Sequence, residues 1–145
     1  MANPSGVTKD MVIPIGKKWY DIVPLVKSSS KSPSVQEESK LKREAELLLN
    51  SDRKRYIAYK QAESKSDFNW TSTVLSSGTF ADRLSAHTLL IQESPVHNFN
   101  SIQKLIDIIK PKVVRECLMA MDNLKDLLLS DLLPKRQLKK FSGRN

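Results

Sequence analysis

Proline placement constrains this chain more than any other feature. Of its seven prolines, Pro4, Pro14, Pro24 and Pro33 lie in the first quarter, and only Pro95, Pro111 and Pro134 follow. A proline ring clashes with the carbonyl four residues back and removes an N–H donor, so it ends a helix and rarely sits inside one. The stretch from 34 to 94 is therefore free to run as helix, and the later prolines partition the remainder. Four glycines are too few for an all-β chain, which needs turn residues every eight to twelve positions. The expectation is an all-α protein.

Apolar spacing agrees. Ser34 followed by Glu37 is a capping box that opens a polar helix, in which Leu41, Ala45 and Leu48 share one face. Asp52–Glu63 is again helix-compatible. Asp67 is then expected to cap a short helix with Trp70 and Val74 on its apolar face. Ser77-Gly78 ends it, since glycine tolerates the left-handed C-terminal conformation. Thr79 with Asp82 opens the next helix, whose stripe is Phe80, Leu84, His87 and Ile91, broadened by Leu90 and stopped by Pro95. Asn100 or Ser101 caps a third, carrying Ile102, Leu105, Ile106 and Ile109 up to Pro111. A fourth follows, with Val114, Cys117, Leu118, Met121, Leu124 and Leu128 spaced by three and four until Pro134. Four such helices in series make a bundle or a row of antiparallel hairpins. Their broad apolar stripes need neighbours on both flanks, which favours the start of an α-solenoid of HEAT-like hairpins.

Charge divides the chain differently. Residues 1–65 carry 13 basic and 8 acidic groups, residues 66–134 carry 6 and 8, and residues 135–145 carry 5 basic groups and no acid. The organisation read from this is an extended or disordered basic arm at 1–34, a polar basic helical segment at 35–65, a near-neutral helical core at 66–134 and a basic tail at 135–145. Basic ends around a neutral core suit contact with a polyanion through counterion release; a solvated surface with a nuclear-import patch reads equally well. In the arm, Lys17, Lys18, Trp19 and Tyr20 form an aromatic island that anchors either a partner or this chain's own helices. Arg53, Lys54 and Arg55 beside Tyr56 and Tyr59 are candidates for phosphate contact and base stacking, or are the wet face of a helix. In the tail, Lys135, Arg136, Lys139 and Lys140 are further candidate contacts.

No catalytic constellation is visible. The chain lacks a Walker loop and the G-x-G-x-x-G and G-x-S-x-G patterns. His87, His97 and Cys117 lack the close spacing of a metal site. His87 reads as a buried core histidine, His97 as exposed or capping, and Cys117 as a packed, inert thiol. No enzyme, metal, cofactor or small-molecule substrate is expected. One cysteine allows no internal disulfide, and no apolar run approaches the roughly 20 residues of a membrane span, so the expectation is intracellular with no membrane partner.

One stretch is more specific than any periodicity. Ser77-Gly78-Thr79-Phe80-Ala81-Asp82-Arg83-Leu84-Ser85-Ala86-His87-Thr88-Leu89-Leu90-Ile91-Gln92-Glu93-Ser94-Pro95-Val96-His97-Asn98 closely resembles a segment of the zeta-type CCAAT/enhancer-binding protein family, also described as nucleolar complex protein one. Trp70 stands at that family's preceding tryptophan. Gly16-Lys17-Lys18-Trp19-Tyr20 is similar to an upstream family element, and Leu132-Leu133-Pro134-Lys135-Arg136-Gln137-Leu138-Lys139 to a later one. Phe80 replaces a smaller aliphatic residue, and Arg83 a common lysine. The resemblance implies a nuclear, nucleolar α-solenoid factor of early large-subunit (pre-60S) particles, with pre-rRNA, pre-60S proteins and a second nucleolar complex protein as partners. The CCAAT name implies an alternative role in transcription, and a nuclear helical protein-interaction adaptor, whose charge serves solubility and nuclear import, is a third reading. Family members run to many hundreds of residues, so this chain is expected to be a fragment, a truncated gene model or a short isoform. Within the motif, Thr79 and Asp82 are capping groups, and Leu84, Leu90 and Ile91 are core. Gly78 and Pro95 act as terminators and His97-Asn98 as the turn, with Trp70 also structural.

Overall fold

A computed structural model describes residues 11–22, 34–109 and 113–135, and these contain six α-helices and no strand. A single turn, α1 (Trp19–Ile22), precedes α2 (Val35–Glu63), α3 (Lys65–Ser77), α4 (Phe80–Glu93), α5 (Phe99–Ile109) and α6 (Val114–Leu127). A π-helical turn, Leu128–Leu132, follows α6. The all-α expectation holds.

Local chemistry sets most of these boundaries. Ser34 Oγ accepts from the Glu37 amide at 3.3 Å while Glu37 Oε2 accepts from the Ser34 amide at 2.8 Å, the reciprocal box expected there. Thr79 and Asp82 repeat it at α4, at 3.2 Å in each direction. The two polar stretches foreseen between 35 and 63 are one helix of 29 residues. Ser64, in extended conformation, separates α2 from α3. Its amide donates to Lys60 O at 3.1 Å and its Oγ accepts from the Asp67 amide at 3.3 Å. The cap of α3 is thus Ser64, and Asp67 is its third residue.

Gly78 ends α3 as expected but for a different reason. Its φ is −68°, so no left-handed turn is made. A β-carbon there would lie 2.5 Å from Val74 O, a contact only hydrogen accommodates. Neither Asn100 nor Ser101 caps α5, which already begins at Phe99.

The core lies among α4, α5, α6 and the π-helical turn. Leu84 and Ile91 meet Leu105, Ala120, Leu127 and Leu132, with Phe80, Ile102, Ile108, Ile109, Met119 and Leu128 packed around them. Each fully buried leucine or isoleucine contributes about 1.5–3 kcal/mol. Thr88 Oγ1, which also donates to Leu84 O, donates to Asn123 Oδ1 at 3.2 Å and ties α4 to α6. α3 lies along α4, and α2 touches α3.

Two stripes face differently from expectation. On α6 the buried side chains are Ala120 and Leu127, whereas Val114, Leu118 and Met121 are exposed. Apolar residues cover about half of that helix's circumference, and the core takes only one edge of the band. Trp70 is 63% exposed, so it points out of the core that the α3 pattern assigned it to.

Candidate functional site

The three distinctive sequence islands converge on one junction. Trp19 Nε1 donates to Leu132 O at 2.9 Å, and Lys18 Nζ pairs with Asp131 Oδ1 at 2.8 Å. Gln92 Nε2 donates to Asp131 Oδ2 at 3.3 Å. The arm, the end of α4 and the π-helical turn are thereby joined across more than 110 residues of chain. The Lys18 hydrogen bond holds the Asp131 carboxyl below the usual carboxylate range, and Lys18 itself is raised by the same bond. Tyr20 meets Trp19 edge-on, with ring centroids 5.6 Å apart. The aromatic island thus packs on its own chain.

Beside this junction lies a buried polar hub. The carboxylate of Asp52 accepts from the amides of Val12 at 2.8 Å and Ile13 at 3.0 Å, and faces His97 Nε2 at 3.2 Å. His97 Nδ1 is 2.7 Å from Ser94 Oγ. Asp52 and His97 are each 1% exposed, and Ser94 is 5% exposed. Burial works to raise the Asp52 pKa, but the two backbone donors and His97 outweigh it and leave the group below its ordinary value. His97 thus bridges the two, with Nε2 toward Asp52 and Nδ1 toward the Ser94 hydroxyl.

Tyr56 extends the hub by stacking on His97, with centroids 4.8 Å apart and planes 5° from parallel. Its hydroxyl donates to Glu93 Oε2 at 2.9 Å and accepts from Asn98 Nδ2 at 3.1 Å. Burial first, and then Glu93, push the Tyr56 pKa up to about 12. Asn98 Nδ2 also reaches Leu90 O and Ser94 O, closing the turn between α4 and α5. Lys60 pairs with Glu63 at 2.7 Å and Glu93 at 2.8 Å. Burial lowers its pKa, but those two carboxylates more than offset this and hold the ammonium above its usual range.

The histidines depart from the burial expected of them. His97 is the buried one, while His87 is half-buried with Nδ1 3.1 Å from Ser101 Oγ. Burial, with Lys104 and Arg83 nearby, depresses the His87 pKa. Cys117 is partly buried and its Sγ donates to Ile109 O at 3.2 Å. Sequence spacing did not reveal Asp52 as a hub residue, because its partners lie 39 to 45 positions away.

Asp52, His97 and Ser94 stand in the order of a hydrolase acid, base and nucleophile. All three are buried, and the arrangement fastens the arm and α2 to the α4–α5 turn. Among the described residues no group of His, Cys, Asp and Glu side chains is arranged to hold a metal, and no helix is long and apolar enough to cross a membrane. Of the other candidate contact residues, Lys17, Lys54, Arg55 and Lys135 are exposed and Arg53 is half-buried. Arg136, Lys139 and Lys140 lie outside the described residues. A groove of about 280 Å³ runs between α2, α3 and α4, with Phe68, Trp70, Leu75 and Leu89 among its walls.

No family model matches the chain. It is 37% identical over 137 residues to an uncharacterized protein of Schizosaccharomyces pombe, covering 94% of this chain and 15% of the relative. It is 35% identical over 131 residues to CCAAT/enhancer-binding protein zeta of Homo sapiens, 89% of this chain and 12% of the relative. With Ribosome biogenesis protein NOC1 of Chaetomium thermophilum it shares 40% identity over 106 residues, 72% of this chain and 10% of that protein. The chain thus spans a small part of the length of these relatives. Over the segment it shares with them, it belongs to the family of CCAAT/enhancer-binding protein zeta and ribosome biogenesis protein NOC1.

Proposed function

We propose that the chain is part of a non-enzymatic nucleolar scaffold in large-subunit (pre-60S) ribosome assembly, holding pre-rRNA and protein partners, among them a second nucleolar complex protein. The observation that carries this reading is its 40% identity to a protein named for ribosome biogenesis. The fold supports it. The family-like islands meet one another in a junction of hydrogen bonds and an ion pair, which is how a segment is built to hold a shape. In this reading the helices are the first hairpins of an α-solenoid.

Sedimentation of the full-length protein bearing this segment tests the proposal. Co-migration with pre-60S particles, abolished by ribonuclease, is the expected result. Recovery only in soluble, RNA-free fractions overturns it. The name of the human relative supports a second reading, a CCAAT-box DNA-binding regulator. Footprinting on a CCAAT duplex and on a scrambled one separates the two: equal affinity for both ends the transcriptional reading.

A further inference from the structure

α2 is segregated by charge around its circumference. At 100° per residue, Lys42, Arg43, Arg53 and Lys54 fall within about a third of the helix surface. Glu37, Glu38, Glu44, Asp52 and Glu63 share the opposite third. Among the described residues none of those four cations has an ion pair, whereas Lys40 pairs with Glu44, and Lys60 with Glu63 and Glu93. Lys42, Arg43 and Lys54 are exposed, and Arg53 is half-exposed.

Packing explains why this stripe stays open. The body holds α2 through Asp52, Tyr56 and Lys60; Arg43 and Lys54 lie about 100° or more around the helix from all three, whereas Lys42 and the half-buried Arg53 share the side of Lys60, with Lys42 about five turns before it in the exposed first half of α2. From Val35 to Ser51 every side chain but the half-buried Leu49 is exposed, so the first half of α2 stands clear of the core. The two cation pairs are eleven residues apart, about 17 Å along the axis. Glu46 is the one acid between them, and Asn50 adds a neutral donor there. Arg55 lies on the far side of the helix from Arg53 and is outside the stripe.

We infer that this stripe is an interaction surface for the phosphodiester backbone of RNA. Unpaired, mostly exposed cations arrayed along one side of a projecting helix neutralise successive phosphates and release their counterions, without reading sequence. The inference rests on the proposed RNA-binding reading and adds the surface that performs it: Lys42 and Arg43 act together with Arg53 and Lys54.

The test uses the whole chain, with an RNA stem-loop and polyglutamate as probes, titrated over a range of salt. One variant changes Lys42, Arg43, Arg53 and Lys54 to Gln; a control changes Lys65, Arg83, Lys104 and Lys125 to Gln, removing the same charge elsewhere. Glutamine keeps helix propensity close to that of the residues replaced, so both variants retain the parent's circular dichroism. The stripe variant is expected to lose roughly a hundredfold or more in RNA affinity at physiological salt, and to flatten the slope of log affinity against log salt by about 3. The control is expected to lose far less, and Glu46→Lys to bind more tightly than the parent. Equal losses in the two quadruple variants overturn the stripe while leaving RNA binding intact. Absence of RNA binding by the parent overturns both the stripe and the reading beneath it. Stripe-dependent binding of polyglutamate as tight as that of RNA makes the partner an acidic protein and overturns the assignment.

Discussion

His97 Nε2 lies 3.2 Å from Asp52 Oδ2, and both side chains are sealed from solvent. Because Asp52 also takes the amides of Val12 and Ile13, this one carboxylate fastens the arm, α2 and the α4–α5 turn together. Removing it leaves three donors without their acceptor, the His97 Nε2 fully buried and the two amides partly so. Asp52→Ala is expected to cost about 3 kcal/mol or more in urea unfolding, and Asp52→Asn distinctly less because it keeps an acceptor oxygen. His97→Ala should cost a similar amount and also unstack Tyr56. Equal stability of Asp52→Ala and the parent would show that the hub does not hold the arm.

The same contact sets an acid limit. The folded Asp52 pKa is depressed below its unfolded value, so its contribution is fully present above about pH 4 and fades as pH falls through the folded value. His87 adds a second, milder slope. Its folded pKa is also depressed, so the unfolded chain binds its proton first, and stability declines as pH falls below about 6.5. Stability measured from pH 8 to pH 2 should show both. Asp52→Asn should flatten only the segment below about pH 4, and His87→Gln only the one starting near pH 6.5.

Much of the fold was legible because its signals are local. Ser34–Glu37 and Thr79–Asp82 are read from four consecutive residues, and the structure forms both boxes. Periodicity, by contrast, shows that a helix has an apolar band without showing which edge receives a neighbour. That is why Leu118 and Met121 are exposed while Ala120, too small to stand out, is fully buried. The histidines depart from expectation for a related reason. His87 lies on an apolar stripe and His97 in a turn, yet burial follows a carboxylate 45 positions upstream of His97 that no spacing rule connects to either.

The two caps should differ in what they stabilise. Losing either Ser34 or Thr79 to Ala removes a capping box, worth about 1 kcal/mol to its helix. Thr79 starts α4, which carries Leu84 and Ile91 into the core, so Thr79→Ala should lower global stability by about that amount. Ser34 starts the exposed half of α2. Ser34→Ala should reduce helical circular dichroism by local fraying while the cooperative unfolding midpoint stays nearly fixed. Equal midpoint shifts would mean that the first half of α2 is coupled to the core.

Gly16 and Gly78 offer a comparison of strain with collision. At Gly16, φ is +78° and the space a β-carbon would take is open, so Gly16→Ala meets only left-handed backbone strain of about 1 kcal/mol. At Gly78 the backbone is unstrained, but an added β-carbon meets Val74 O at 2.5 Å and Asp82 Cβ at 3.3 Å. Relief requires moving the end of α3 away from the Thr79–Asp82 box. Gly78→Ala is therefore expected to cost about 2 kcal/mol, more than Gly16→Ala, with the loss overlapping that of Thr79→Ala in the double variant.

The two tryptophans report on different parts of the structure. Trp19 is half-buried with its indole N–H on Leu132 O, while Trp70 is 63% exposed at the α2–α3–α4 groove. Trp70→Phe should remove the red-shifted, acrylamide-accessible part of the emission and leave stability within about 0.5 kcal/mol, as at other surface positions. Trp19→Phe should remove the blue-shifted part and cost about 1 kcal/mol or more, since it leaves the Leu132 carbonyl without its donor and loses indole packing. It should also weaken the neighbouring Lys18–Asp131 pair, so that Asp131→Asn costs less in the Trp19→Phe background than in the parent. Additive losses for those two changes would show that the arm and the π-helical turn are held by independent contacts, and that the junction of the islands is not one cooperative unit.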